Sequence, residues 1–207
     1  MARRDGPREI APPHILKHCR GPPGPRLSHS LKIIMNGSPF PRLATIPVII
    51  LAAGHGGKDP GACAGNVIER DRVIVIVDAM AQIMRAAIGT ASVVVAPHAH
   101  DTHETIPWVN ARYPAGAWAW EVHSDSAANL AEEDASLRCG VYHSGSQSSA
   151  AIADYVVNQM KAYGAHPRSW SRSQKEHRSG SLGWINQVRC LSHLLELGFV
   201  EGRDTPE

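Results

Sequence analysis

The sequence predicts an α/β domain, and three observations carry that expectation. An apolar run at residues 48–51 reads as a short buried strand and leads into the glycine-rich turn Gly54-His55-Gly56-Gly57, whose glycines free the backbone from side-chain sterics around a histidine. Further strand-like runs at 93–96, 116–123 and 190–199 are separated by stretches with helical spacing. Histidines or carboxylates stand near the ends of several runs, the edge at which open α/β sheets collect ligands.

The chain has 207 residues, enough for one domain of about 150 residues and something extra. The extra part is residues 1–45, a Pro-rich leader with the run G-P-P-G-P at 21–25 and no helical or strand period, expected to be disordered. It carries eight Lys/Arg and two Asp/Glu, a net of +6, so residues 46–207 hold the remaining 13 basic and 17 acidic groups, a net of −4. The overall +2 argues for neither nucleic acid nor membrane as a partner. The four cysteines, Cys19, Cys63, Cys139 and Cys190, contain no C-x-x-C pair, which excludes a zinc ribbon and a disulfide framework and leaves free thiols, Cys63 the one near His55. No apolar run approaches the length of about 20 residues that spans a bilayer, and 31–35 is too short for a signal-peptide core. The expectation is a soluble protein made in the cytoplasm without an export signal.

In chain order, residues 68–88 follow a helical stripe, Val73, Val77, Met80, Met84 and Ile88, although V-I-V-I-V at 73–77 has the composition of a strand. Gly89 closes the helix, and Glu69 falls in its first turn. A strand at 93–96 precedes the histidine-rich run P-H-A-H-D-T-H at 97–103, and a short helix is expected at 108–113. Alternation at 116–123 puts Trp118, Trp120 and Val122 on one face and Ala119, Glu121 and His123 on the other. Residues 127–138 read as a polar excursion and 140–142 as a brief strand. Ile152, Val156, Met160 and Tyr163 mark a helix from 149 that Gly164 ends. The basic, serine-rich stretch 166–180 reads as a long loop of the functional kind, followed by a turn or helix at 182–188 and a last strand at 190–199 that places Glu196 near its end.

His55, Glu69 and His123 thus offer two imidazoles and a carboxylate, a set that leaves zinc one open position, as catalytic sites do. Glu196 stands at another strand end, placed to serve as a base. These residues also carry a resemblance. G-H-G-G-K-D-P-G-A at 54–62, a glutamate fourteen residues after its histidine, a later strand ending in histidine, G-V-Y-H-S-G-S before a helix and a final L-L-E-L-G-F together resemble the type 3 zinc-dependent N-acetylmuramoyl-L-alanine amidases over residues 48–204.

The resemblance implies one domain with a mostly parallel, twisted sheet flanked by helices. It implies Zn2+ held by His55, Glu69 and His123, with Glu196 carrying the proton from the attacking water to the departing amine. The partner it implies is peptidoglycan, cut between N-acetylmuramic acid and L-alanine of the stem peptide, and the expected setting is a phage or prophage endolysin that reaches the bacterial wall when the membrane is breached. Where the family follows its third ligand with a small residue and asparagine, this chain has Ser124 and Asp125, which leaves Asp125 as an alternative approach to the metal. Glu121 is a candidate for orienting a histidine ligand.

Two other readings compete. His98, His100, Asp101 and His103 resemble the H-x-H-x-D-H motif of metallo-β-lactamase-like hydrolases, with the aspartate displaced by one position. A non-catalytic peptidoglycan-binding module would keep the fold without the chemistry. His143 and His193 read as hydrogen-bonded structural residues.

Overall fold

The structure is a computed structural model that describes residues 48–126 and 138–201. The leader at 1–45 and nearly all of the polar excursion at 127–138 lie outside the described residues. β1 (Val48–Ala53) is buried along both faces, Ile49, Leu51 and Ala53 toward one core cluster and Ile50 and Ala52 toward the other. A strand covered on both sides needs a continuous apolar run, which is why 48–51 shows no alternation. A two-stranded ribbon, β2 (Cys63–Ala64) and β3 (Val67–Ile68), follows the glycine-rich turn.

The other strands are β4 (Val93–Val95), β5 (Ala117–Asp125), β6 (Cys139–His143), β7 (Trp170–Ser173) and β8 (Leu191–Phe199). With β1 they form one six-stranded sheet in the order β4-β1-β5-β8-β6-β7. β4, β1, β5 and β8 run parallel, β6 is antiparallel to β8, and β7 is parallel to β6. The sheet is mostly parallel, as expected, and the carboxyl ends of β1, β5 and β8 lie together.

α1 (Glu69–Ile88) and α3 (Gln147–Ala162) cover one face with Val73, Val77 and Ala81 and with Ile152, Ala153 and Val157, packed on Trp118, Trp120 and Val122 of β5. The strand-like run inside α1 is helical because Val73 and Val77, four apart, reach the core together while Val75 stays 67% exposed. α2 (Thr102–Arg112) and α4 (Gly183–Gln187) cover the opposite face with Ile106, Val109, Trp184 and Ile185.

Two boundaries correct the sequence reading. α2 begins at Thr102 and not near 108, because Asp101 caps it and Glu104 returns a bond to the Asp101 backbone, a capping box spelled by D-T-H-E. The stretch 166–180 is not a continuous loop: it contains the edge strand β7 and a 3-10 turn, Gln174–Glu176, capped by Ser173. Serine-rich composition hid a strand that is only partly buried.

Candidate active site

His55 leaves the end of β1 in a turn whose glycines are required sterically. A Cβ on Gly54 would lie 2.1 Å from the His123 ring, and one on Gly56 would lie 2.0 Å from the backbone oxygen of His100. Gly61, at φ 66°, keeps the same clearance from His55 and Glu69. Glu69 starts α1, where the helix dipole favours a carboxylate. His123 lies on β5 directly beside Glu196 of β8.

These elements bring ligand atoms of His55, Glu69 and His123 within 4.8 Å of one another. Glu69 Oε2 is 3.2 Å from His55 Nε2, and Glu69 Oε1 is 3.2 Å from His123 Nδ1. The buried Glu69 carboxylate also accepts the backbone N–H groups of Ala62 at 2.8 Å and Ser124 at 3.0 Å. Burial opposes its charge, but the two histidines and the Ala62 N–H outweigh that and hold its carboxyl far below the usual carboxylate range.

Each histidine has a second carboxylate at its far ring nitrogen. Asp59 Oδ2 lies 2.8 Å from His55 Nδ1, and its other oxygen accepts the Gly61 N–H at 3.0 Å. Glu121 Oε2 lies 3.1 Å from His123 Nε2, off the hydrogen-bonding direction, while the Thr102 hydroxyl lies 3.0 Å from Glu121 Oε1 and 2.7 Å from the Gly54 oxygen. Burial works against a charge on His123, yet Glu121, Glu69 and Glu196 outweigh it and push its ring well above the ordinary imidazole value. A donor set of two imidazoles and one carboxylate, each imidazole backed by an acid and the whole biased toward positive charge, fits a divalent metal with an open position.

Glu196 is not one of the converging ligands. Its Oε2 is shut off from solvent and has no protein partner among the described residues. Burial, with the charges of Asp125, Glu69 and Glu121, raises its carboxyl to about 7 despite the opposing pull of His123. It sits just before a register shift in the β5–β8 pairing, where His123 faces Glu196 but Asp125 faces Phe199. Gly198, at φ 67°, takes up the extra residue. Asp125 is exposed and stands on the cleft wall, outside the ligand group. Cys63 is exposed, with its thiol 3.8 Å from the Gly61 oxygen, and is also outside that group.

All four sequence-selected residues line one cleft of about 630 Å³, whose other wall carries Tyr142, Arg172, His177 and Arg178. Asp59, absent from the candidate set, was legible as the aspartate four residues after His55. Arg172 was hidden in the stretch read as a loop. His98, His100 and His103 form no ligand group among the described residues. His98 pairs with Asp78 at 3.0 Å, and the loop's backbone supports the glycine turn through His98 O and Gly57 N at 3.2 Å. His193 is fully buried and hydrogen-bonded within the core, and His143 accepts the Gly145 N–H at 3.1 Å.

A mostly parallel sheet with a two-histidine, one-carboxylate centre at its carboxyl edge and a separate, half-buried glutamate beside it defines a domain of the hydrolase class. The family model described as N-acetylmuramoyl-L-alanine amidase matches residues 49–205, and the chain belongs to that family, whose members act as peptidoglycan amidases. The fold is shared with N-acetylmuramoyl-L-alanine amidase AmiC2 of Nostoc punctiforme, at 19% identity and TM-score 0.56, covering 76% of this chain and 83% of that one. It is shared also with the catalytic domain of the CD27L endolysin targeting Clostridia difficile, at 17% identity and TM-score 0.56, covering 75% and 83%. A third neighbour is an N-acetylmuramoyl-L-alanine amidase from Clostridium difficile 630, at 16% identity and TM-score 0.56, covering 76% and 82%. No curated protein matches the sequence. No described helix is long and apolar enough to cross a membrane.

Proposed function

We propose that the protein is a zinc-dependent hydrolase of bacterial peptidoglycan that cuts the amide between N-acetylmuramic acid and L-alanine of the stem peptide. The observation that carries this reading is the convergence of His55, Glu69 and His123 within 4.8 Å beside a Glu196 carboxyl with one oxygen that has no partner among the described residues. His55, Glu69 and His123 hold the ion, nitrogen and oxygen donors being the set zinc favours in catalytic sites. When bound, zinc supplies Lewis acidity that lowers the pKa of water toward about 7 and polarises an amide carbonyl.

The remaining work belongs to the chain. Asp59 fixes the ring of His55 by a hydrogen bond and Glu121 sets a negative charge beside His123 Nε2, so less of the ligand set has to be ordered when the ion arrives. Glu69, held by two backbone N–H groups, keeps its charge. Glu196 takes a proton at Oε2 from the attacking water and passes it to the departing amine, and its raised carboxyl value lets it hold that proton near neutral pH.

Metal analysis of the purified protein and a digest of peptidoglycan scored for new L-alanine amino termini test the reading together. Stoichiometric zinc with release of those termini is the expected result. Zinc-loaded protein that binds wall and releases none would replace the amidase with a binding module. We assign the protein the role of an endolysin made in the cytoplasm, supported by its likeness in fold to the CD27L catalytic domain. Expression should therefore lyse a host only when a membrane-permeabilising protein is co-expressed; lysis without that partner overturns the assignment.

A further inference from the structure

The cleft has a second wall of opposite charge. β7 pairs with β6 so that Arg172 lies beside Tyr142, and Tyr142 lies beside Leu194, two residues before Glu196 on β8. Directly paired residues share a sheet face, so one face runs from His123 across β8 and β6 to β7, where Trp170 stands in the row of His123 and Arg172 two residues further on, a span of three strand spacings with that offset, or roughly 16 Å. A Cβ on Gly140 would lie 2.2 Å from the Trp170 ring, so only glycine lets that indole lie across β6. The Arg172 guanidinium rests over the Trp170 ring, 4.6 Å from its centroid. Tyr142 packs edge-on against Trp170 at 4.6 Å and against His177 at 5.4 Å, and Arg178 follows on the same wall.

Among the described residues neither arginine has an ion-pair partner. Glu176 also lines the cleft, but its carboxylate accepts the Ser173 N–H at 2.9 Å. Glu69, Glu196 and Asp125 lie on the side of the metal ligands.

We propose that Arg172 and Arg178 form a carboxylate subsite that grips the stem peptide a few residues beyond the scissile amide. This rests on the amidase reading. An extended peptide advances roughly 3.3 Å per residue, so a chain leaving the ligand cluster covers that span in about five residues, and fewer once the reach of the long arginine side chains is included. Amide-linked N-acetylmuramic acid has no charge for them to neutralise. The stem has carboxylates, on glutamate at its second position and on the side chain of a diaminopimelate at its third. A guanidinium resting over an aromatic ring on the cleft wall suits either one.

The test uses three C-terminally amidated tripeptides titrated into the full chain by calorimetry: L-Ala-D-Glu-L-Lys, L-Ala-D-isoglutamine-L-Lys and L-Ala-D-isoglutamine-meso-diaminopimelate. At least one carboxylate-bearing peptide should bind about tenfold or more tighter than the lysine isoglutamine peptide, and which one does so identifies the second or the third stem residue as the source. Arg172→Gln/Arg178→Gln should abolish that preference, and Arg172→Lys should retain part of it. Equal binding of all three peptides by the native protein, or a preference that survives the double substitution, overturns the subsite. Cleavage of the corresponding muramoyl peptides is scored separately. Arginine-dependent binding without cleavage would sink the amidase reading and leave the subsite standing; cleavage indifferent to the carboxylates, with equal binding, does the reverse.

Discussion

Three side chains set the chemistry and stability at the residue scale. Glu196→Gln is nearly isosteric but cannot accept a proton, so it should keep the metal and the fold while amide cleavage falls about a hundredfold or more, judged from metal content and initial rate. Loss of metal in that variant would make Glu196 a ligand. Asp59→Asn should act one step back, weakening metal affinity about 10- to 100-fold because the His55 ring loses its anionic acceptor; unchanged affinity in a chelator competition would remove Asp59 from the centre. His193 lies in the core. Its Nδ1 accepts the Trp118 indole N–H at 2.9 Å, Nε2 faces the Ser149 oxygens at 3.1 Å, and the ring stacks on Trp120 at 4.9 Å. Burial lowers its value to about 4, since a charged ring would be desolvated and would set an Nδ1 proton against the Trp118 donor. The folded value lies below the unfolded one, so the stability it contributes is present above about 6.5 and is lost as pH falls toward 4. Between pH 7.5 and 5 the stability advantage of native protein over His193→Gln in urea unfolding should shrink by roughly 2 kcal/mol; a constant difference would show that the ring is not held neutral.

At the element scale, the end of β8 decides where Glu196 points. The shift at the β5–β8 pairing is absorbed by Gly198 at φ 67°, which explains the glycine of E-L-G-F. Gly198→Ala should cost about 1–2 kcal/mol from the left-handed backbone alone and should lower activity by more than that loss of stability accounts for. Gly89→Ala is the control: φ is 96°, nothing lies within 4 Å of the added Cβ, and the position ends α1 far along the chain from the cleft. Equal loss of activity in both would mean that the bulge does not aim Glu196. The same elements show what sequence could reveal. β1 and α1 were legible because continuous apolar burial and a four-residue stripe leave strong signatures, and His55 and Glu69 come with them. The pairing of His123 with Glu196 was not, since register depends on contacts between distant segments. β7 escaped because an edge strand of Trp170, Ser171, Arg172 and Ser173 has little of the composition of a buried one, and with it went the basic wall.

For the whole molecule, acidic groups gather on one side of the cleft: Glu69, Glu121, Glu196, Asp59 and Asp125 surround His55 and His123. That arrangement is costly without a cation, and the expected consequence is a strong coupling of folding to metal. An ion that binds only the folded state stabilises it by about 2.7 kcal/mol at a hundredfold excess over Kd. For a domain of this size each kcal/mol moves Tm by roughly 2–4 °C, so stripping with a chelator should lower Tm by about 5–10 °C and zinc should restore it. His55→Ala removes one of three ligands while leaving both core faces intact, so its Tm should barely respond to chelator or to added zinc. The experiment is a pair of thermal scans on the full chain, with and without chelator, for both proteins. An insensitive native protein would mean that the acidic edge is balanced by the histidines alone, and a variant that responds as strongly as the native protein would place the stabilising ion somewhere other than between His55, Glu69 and His123.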